Sequence, residues 1–317
     1  MGAPVARAMS IIDSLGRARW NPEAALRLAG LLRLMDATTG VPDITVALVD
    51  GPIAVAHPDF ATENRRVLPG RPNATCTRPE SLACSHGTYV AGLLHAKRDS
   101  LIPGICPGCT LLARPIFSEA GEMSENDGLP NAAVEELSAA LHEVIEAGAR
   151  VINLSVGMAE SSVRAAPAID LALERAARRG VLVVAAAGNQ GTLGSSAITR
   201  HPWVIPVVAC DCDGQALASS NLGVSIGRHG LTAPGQDITS LAASGGHAKF
   251  SGSSAAVPFV SGTIALLWSI FPRASAAQLR VAVSGNPTRR RSVTPPLLDA
   301  WAAYQALAST NTGVRAA

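Results

Sequence analysis

The chain has 317 residues, of which 48% are hydrophobic, 16% are charged and only 3% are aromatic. This composition excludes intrinsic disorder as the main state, because disordered chains are rich in charge and poor in apolar residues. The 26 basic and 24 acidic side chains leave a net charge of +2, which gives no electrostatic signature of nucleic acid or an anionic membrane as partner.

No targeting signal is predicted at the N-terminus. Arg7, Asp13 and Arg17 interrupt residues 1–20, so no signal peptide is expected there. We identify no run of about 18 uncharged apolar residues, and therefore expect no membrane span. A cytoplasmic location is the resulting expectation.

Short apolar runs alternate with helical patterns along the chain. Apolar spacings of three and four predict a helix over residues 22–36, and a continuous β-branched run predicts a buried strand over 44–49. Further strands are predicted over 110–116, 151–156, 181–187, 203–209, 215–219, 229–233 and 237–241. Further helices are predicted over 86–96, 131–147, 163–179, 254–271, 275–284 and 295–308. This alternation predicts an α/β fold whose central, mostly parallel sheet carries helices on both faces.

The six cysteines fall into three pairs by spacing: Cys76 and Cys84, Cys106 and Cys109, Cys210 and Cys212. Three interpretations stay open. All six are free thiols, or Cys76 and Cys84 form a disulfide that staples the loop before His86. Alternatively, Cys106 and Cys109 belong to a zinc site, which would need two further ligands brought in by the fold.

Three segments place a reactive side chain at the edge of a predicted element. Asp50 follows the strand over 44–49, at the carboxyl edge where parallel sheets bind ligands. His86 opens a predicted helix, and Ser254 begins another, where backbone N–H groups favour developing negative charge. Each of these residues also has an ordinary structural interpretation, as a turn residue, a polar cap and an N-cap.

Taken together, the three occur in the order Asp, His, Ser that characterises the subtilisin triad. Around them the chain resembles the subtilase (subtilisin-like serine peptidase) family. The matching segments are 46–51, 57–60, His86-Gly87-Thr88, 90–92, 151–155, 185–189, 220–223, 233–235 and the Gly252-Ser253-Ser254 block up to Pro258. The resemblance implies a three-layer subtilisin-like catalytic domain over 41–285, with an N-terminal helical extension over 1–40 and a C-terminal helix and tail over 286–317.

The resemblance also implies a role for each reactive group. Ser254 would attack a peptide carbonyl, His86 would take up its proton and pass it to the leaving amine, and Asp50 would hold the histidine tautomer. The Asn189 amide and the Ser254 N–H would form the oxyanion hole. Ser253 is a less favoured alternative nucleophile, because the helix register favours Ser254.

Six residues are expected to bind the substrate: Ser155, Val156 and Gly157 along its backbone, and Ala186, Ala187 and Gly188 as a wall of the first specificity pocket. One departure from the family pattern is the Ala255 that follows Ser254, where most members carry Met. We expect altered packing from it rather than lost activity. No cofactor or metal is required. Structural calcium occurs in the family, but Glu125 and Asp127 form no diagnostic loop.

Several segments resemble the cyanobactin maturation proteases more closely: 46–58, 84–88, 104–107, 114–118 and 231–238. That resemblance implies processing of a ribosomally made precursor peptide inside the producing cell. One branch of this group removes the leader, and the other closes the peptide into a macrocycle behind a helical insertion placed between the Asp and His segments. Here Asp50 and His86 are 36 positions apart, and the residues between them contain no predicted helical hairpin.

Hydrolysis is therefore the expected reaction, and the predicted function is removal of leader or flanking sequence from a precursor peptide. The short stretch over 1–40 is a further expectation against a secreted enzyme with a signal and a large pro-segment. A macrocyclase and a general intracellular serine peptidase remain alternatives. A binding module without activity would need a broken triad, whereas this triad is complete.

Overall fold

Seven parallel strands form one sheet in the order β2-β3-β1-β4-β5-β6-β7, and β8 and β9 form a separate antiparallel pair. The computed structural model describes residues 22–61, 63–69, 75–119, 132–156, 166–285 and 291–313. The strands are β1 (Thr45–Asp50), β2 (Arg65–Val67), β3 (Thr110–Pro115), β4 (Val151–Leu154), β5 (Leu182–Ala186), β6 (Val204–Cys210), β7 (Leu231–Pro234), β8 (Ile238–Leu241) and β9 (His247–Phe250). The helices are α1 (Pro22–Leu28), α2 (Leu32–Ala37), α3 (Leu82–His95), α4 (Val134–Glu146), α5 (Ala166–Arg179), α6 (Val224–His229), α7 (Ser253–Ile270), α8 (Ala276–Ser284) and α9 (Ala300–Gly313).

The sheet is buried on both faces, as its apolar strands require. Every residue of β1, β3, β4, β5 and β6 is buried. One face packs against α4 and α5, and the other packs against α3 and α7. The predicted three-layer α/β fold is confirmed.

The strand order reverses beside β1, which pairs with β3 on one side and with β4 on the other. The connections that leave β1 and β4 therefore diverge and open a crevice at the carboxyl ends of these strands, where open α/β sheets bind ligands. Asp50 is the last residue of β1 and so lies at this crevice.

Helix α7 runs through the centre of the molecule. It has 18 residues, and by length and composition alone it would be long and apolar enough to cross a membrane. In the fold, 89% of it is buried, with every residue from Ser253 to Trp268 in the interior. Its apolar composition is thus explained by a position in the core, facing the sheet on one side and α3 on another.

Some predicted elements differ from the observed ones. The helix expected over 22–36 is divided into α1 and α2, because Gly30 adopts a left-handed φ of 67° and any Cβ there would lie 2.7 Å from Asp299 Oδ1. The strand expected over 215–219 is reduced to a single bridge between Cys210 and Ala216. Helix α9 begins later than predicted, after the two prolines that precede Leu297.

His95 is the last residue of α3, and we expect it to make the stability of the fold depend on pH. It is 1% exposed, and its Nε2 contacts the carbonyl oxygen of Glu63 at 3.1 Å. Burial lowers the pKa of His95 to about 4, since the charged imidazole loses its hydration, and the nearby Arg65 acts in the same direction. The unfolded chain keeps the ordinary value near 6.5.

Between pH 6.5 and 4 the unfolded chain therefore binds a proton at His95 that the folded chain does not bind. We expect the free energy of unfolding to fall across this window, by about 2 kcal/mol at pH 4.5 relative to pH 7 from this residue alone. Urea denaturation of the wild type and of His95→Gln at the two pH values measures it. The glutamine variant should lose less stability on acidification, and equal losses would contradict the prediction.

Candidate active site

Asp50 is fully buried at the carboxyl end of β1. Its Oδ1 accepts a hydrogen bond from the Gly51 N–H at 2.6 Å and lies 2.7 Å from Nδ1 of His86. Its Oδ2 is also buried and has no hydrogen-bond partner within the described part of the chain. The carboxylate is therefore directed at the imidazole through one oxygen.

His86 lies in the second turn of α3 and does not open it, which corrects the predicted helix start. Ser81 begins this helix earlier, because its side chain accepts a hydrogen bond from the Cys84 N–H at 3.2 Å as an N-cap. The His86 side chain is 3% exposed, and its ring and that of Phe250 form a T-shaped pair with centroids 6.3 Å apart. Because Asp50 accepts at Nδ1, the proton of the neutral imidazole sits there and Nε2 is left as the basic nitrogen.

The distance between Asp50 and His86 is set by a close approach of two backbones. A Cβ added at Gly51 would overlap the carbonyl of Ala83 in α3, and one added at Gly87 would overlap the carbonyl oxygen of Gly51. Glycine at both positions thus lets the segment after β1 lie directly on the helix that carries His86.

Replacement of Gly51 by alanine should therefore push α3 away from β1. We expect a loss of roughly 3 kcal/mol in the free energy of unfolding, typical of severe overpacking, and a kcat at least about tenfold lower because His86 is displaced. Denaturant unfolding and peptide hydrolysis measure the two effects. Gly148→Ala is the matched control, since no atom lies within 4 Å of its added methyl group and only its left-handed φ of 91° is strained. Wild-type kcat in Gly51→Ala would contradict the prediction.

Ser254 lies in the first turn of α7 with 8% of its surface exposed. Its Oγ donates to the carbonyl oxygen of Ser155 at 3.5 Å, a distance at which a hydrogen bond is weak. Its backbone N–H belongs to the group at a helix N-terminus that receives no partner from the helix itself. The position therefore combines a weakly held hydroxyl with an available backbone donor.

The neighbouring Ser253 is fully buried and holds Asn189 in place. Its backbone N–H and its hydroxyl both donate to Asn189 Oδ1, at 2.8 and 2.9 Å, and its hydroxyl accepts from the Gly188 N–H at 3.2 Å. Because a backbone N–H can only donate, the oxygen of the Asn189 amide is identified, and its NH₂ group points away from Ser253. Because the Ser253 hydroxyl is already engaged in two hydrogen bonds, Ser253 holds Asn189 in position, and Ser254 is favoured as the nucleophile.

The predicted substrate-binding residues lie at the carboxyl ends of β4 and β5, which are adjacent in the sheet. Ser155, Val156, Ala186, Ala187 and Gly188 are all buried there, near α7. Gly157 lies outside the described residues, as do Glu125 and Asp127. The part that these residues play in substrate binding stays a prediction.

A buried polar network below Ser254 was not singled out from the sequence. The Asn153 amide donates to Ser155 Oγ at 3.1 Å, and Ser261 Oγ donates to Asn153 Oδ1 at 2.7 Å. These bonds join β4 to α7 and so fix the helix that carries Ser254 against the sheet. The sequence indicates this network through Asn153, an asparagine within an otherwise apolar strand, because a buried amide requires hydrogen-bond partners.

The structure joins Cys76 to Cys84 in a disulfide two residues before His86. Glu119 lies beside the pair, with ligand atoms within 4.8 Å of one another, but sulfurs bonded to each other offer no thiolate to a metal. Cys106, Cys109, Cys210 and Cys212 are thiols outside any disulfide in the described part of the chain. Burial raises the pKa of the Cys210 thiol to about 12, so this group is unreactive at neutral pH.

The zinc interpretation of the pair at Cys106 and Cys109 gains no support. Within the described ranges, the group formed by Cys76, Cys84 and Glu119 is the one cluster of three or more potential ligand side chains. The free-thiol interpretation therefore applies to Cys106 and Cys109.

Two solved structures resemble this chain over nearly their whole length. The protease domain of PatA, as a single-site mutant, is 31% identical, covers 86% of this chain and 97% of its own, and superposes with a TM-score of 0.75. The prenylagaramide maturation protease PagA is 30% identical, covers 88% and 98% of the two chains, and also gives a TM-score of 0.75. The PatG macrocyclase domain, at 20% identity and a TM-score of 0.74, shares the fold.

Subtilisins are among the curated relatives. Subtilisin DY of Bacillus licheniformis is 30% identical over 251 residues, which are 78% of this chain and 84% of that protein. Subtilisin amylosacchariticus of Bacillus subtilis subsp. amylosacchariticus is 29% identical over 252 residues, and the match spans 61% of that relative. The family described as "Subtilase family" matches residues 42–293. With this match over most of its length, the chain belongs to the subtilase family.

Proposed function

We propose that this protein is a serine endopeptidase that hydrolyses peptide bonds through an acyl-enzyme. The observation that carries the proposal is the buried pair of Asp50 and His86, 2.7 Å apart at the end of β1. Ser254 contacts the residue that follows β4, the strand next to β1. Asp50 holds the proton on Nδ1, so that His86 Nε2 accepts the proton of Ser254 Oγ as this oxygen attacks the substrate carbonyl. The same nitrogen then returns the proton to the leaving amine.

The negative charge that develops on the carbonyl oxygen needs donors fixed in advance. The Asn189 NH₂ group and the Ser254 N–H are the two donors in this proposal. Ser253 holds the first through the amide oxygen, and α7 holds the second. Water then attacks the acyl-enzyme with His86 as the base, which releases the acid product and restores the Ser254 hydroxyl.

The proposed substrate is a ribosomally made precursor peptide, from which the enzyme removes leader or flanking sequence. The likeness to the PatA protease domain and to the prenylagaramide maturation protease PagA supports this proposal. Among the described residues from Asp50 to the start of α3 at Leu82, the chain forms loop and the short strand β2, and no helix precedes α3. This segment therefore lends no support to a helical shield over the acyl-enzyme, and hydrolysis is preferred to cyclisation.

Incubation of the purified protein with candidate precursor peptides, followed by mass spectrometry, tests the proposal. We expect linear fragments that together have gained one water, and none with Ser254→Ala. A cyclic product would indicate the macrocyclase alternative, and intact precursor would contradict processing. Unfolded casein in a parallel reaction reveals a general peptidase, which would degrade it at many sites.

The cytoplasmic location stays a prediction, and the oxidation state of Cys76 and Cys84 can test it. Structural disulfides are uncommon in cytosolic proteins. Alkylation of thiols in native cells before lysis, followed by mass spectrometry of Cys76 and Cys84, measures their oxidation state. Alkylated cysteines would support the cytoplasm, and a protected pair would support an oxidising compartment.

A further inference from the structure

The turn over residues 188–192, which carries Asn189, is held by a side chain from another segment. Asn221 Oδ1 accepts hydrogen bonds from the N–H groups of Gln190 at 3.0 Å and Thr192 at 3.1 Å. The Asn221 backbone N–H donates to the carbonyl oxygen of Gly188 at 3.0 Å. One residue thus binds the backbone of this turn on both sides of Asn189.

The amide nitrogen of Asn221 extends the same set of contacts. It donates to Gln190 Oε1 at 2.8 Å, and this oxygen accepts from the Asn189 N–H at 3.2 Å. The amide also lies against Gly188, where an added Cβ would overlap Asn221 Nδ2 and where φ is 104°. Only glycine fits this conformation and this contact, so the turn and the amide are shaped to each other.

We propose that Asn221 is a positioning residue for the oxyanion hole. It fixes the backbone from which Asn189 projects, while Ser253 fixes the Asn189 side chain through its amide oxygen. The planar amide suits this position, because one oxygen receives two converging N–H groups while the nitrogen donates to Gln190. The inference rests on the proposed function and assigns Asn221 no contact with substrate.

A positioning role of this kind acts on the transition state more than on bound substrate. Displacement of a reacting group by about 1 Å costs up to about 10²-fold in rate. Loss of the Asn221 contacts should therefore lower kcat and leave KM nearly unchanged, because the oxyanion forms only as the reaction proceeds.

A double-mutant cycle on kcat for a chromogenic peptide tests the inference, with wild type, Asn221→Ala, Asn189→Ala and the double variant. We expect Asn221→Ala to lower kcat about tenfold or more, with KM within about twofold. In the Asn189→Ala background the same change should have almost no effect, because the group that it positions is gone. An equal loss in both backgrounds, or unchanged kcat in Asn221→Ala, would overturn the proposal.

Ser225→Ala is the matched control. Its hydroxyl bonds to Ser195 and so links the same two chain segments away from Asn189. It should keep wild-type kcat. If Asn221→Ala does not fold, Asn221→Asp takes its place in the cycle, since the carboxylate keeps both acceptor contacts but sets an oxygen against Gln190 Oε1 in place of the donated hydrogen bond. Its kcat loss should again vanish without Asn189.

Hydrogen exchange separates this inference from the proposed function. In Asn221→Ala, and not in Ser225→Ala, the N–H groups of Asn189 and Gly191 should exchange faster, although Asn221 does not itself bind them. This readout needs no substrate. An inactive wild type would therefore refute the peptidase proposal, and unchanged exchange at Asn189 and Gly191 would refute the positioning role.

Discussion

Replacement of Ser254 by alanine should lower kcat for peptide hydrolysis by about 10⁶-fold, the size of the effect in subtilisin, a relative of this chain. The variant keeps the fold, because one small side chain at a helix N-terminus is removed, but no oxygen is left to form the acyl-enzyme. Active-site titration measures acyl-enzyme formation, peptide hydrolysis measures kcat, and thermal unfolding of the same preparation checks that the fold is kept. A kcat within about tenfold of wild type would contradict Ser254 as the nucleophile.

The loss should not add to that of His86→Ala, because the serine and the histidine act as one unit. The double variant should be as inactive as either single variant. Ser253→Ala, at the adjacent residue, is the matched control. It keeps the nucleophile and removes one of the two hydrogen bonds to Asn189 Oδ1. It should cost only about tenfold. If Ser253→Ala were instead the inactive variant, the assignment of the two serines would be reversed.

Replacement of Asn189 by alanine should lower kcat by about 10²- to 10³-fold with little change in KM, as expected for a lost oxyanion donor. The ground-state carbonyl carries little charge, so the missing hydrogen bond is felt mainly in the transition state. Hydrolysis of one peptide over a range of concentrations separates the two constants.

Asn189→Asp distinguishes this role from a structural one. The carboxylate still accepts the two bonds from Ser253, which preserves the turn, but it places an oxygen where the donor stood. Its kcat should be no higher than that of Asn189→Ala, because two negative charges repel. Near wild-type activity in the aspartate variant would show that Asn189 does not face the oxyanion.

Much of the fold followed from local pattern. The β-branched runs of β1, β5 and β6 are strands at or near the expected positions, since a strand buried on both faces has little choice of residue. The sequence predicts less accurately those helix boundaries that depend on contacts with other parts of the chain. The start of α3 depends on the capping by Ser81, and the break at Gly30 depends on the approach of α9. Both are contacts that periodicity does not reveal.

The chemical identity of the site was readable in the chain, because a triad needs particular side chains in a particular order. Asp50, His86, Ser254 and Asn189 were all named from short motifs. What they contact was decided by the tertiary structure. The 2.7 Å approach of Asp50 to His86 requires two glycines to bring backbones together from segments 36 residues apart.

The same distinction applies to the supports of the site. The sequence does not show what Asn221 and Asn153 contact. Only folding brings one against the turn of Asn189 and the other between β4 and α7. The hydrogen bond of a side chain to a backbone group can be identified only in the folded structure, because backbone N–H and carbonyl groups are alike at nearly every residue. The sequence by itself therefore determined the family and predicted the reactive groups, and the tertiary structure decided how these side chains are held.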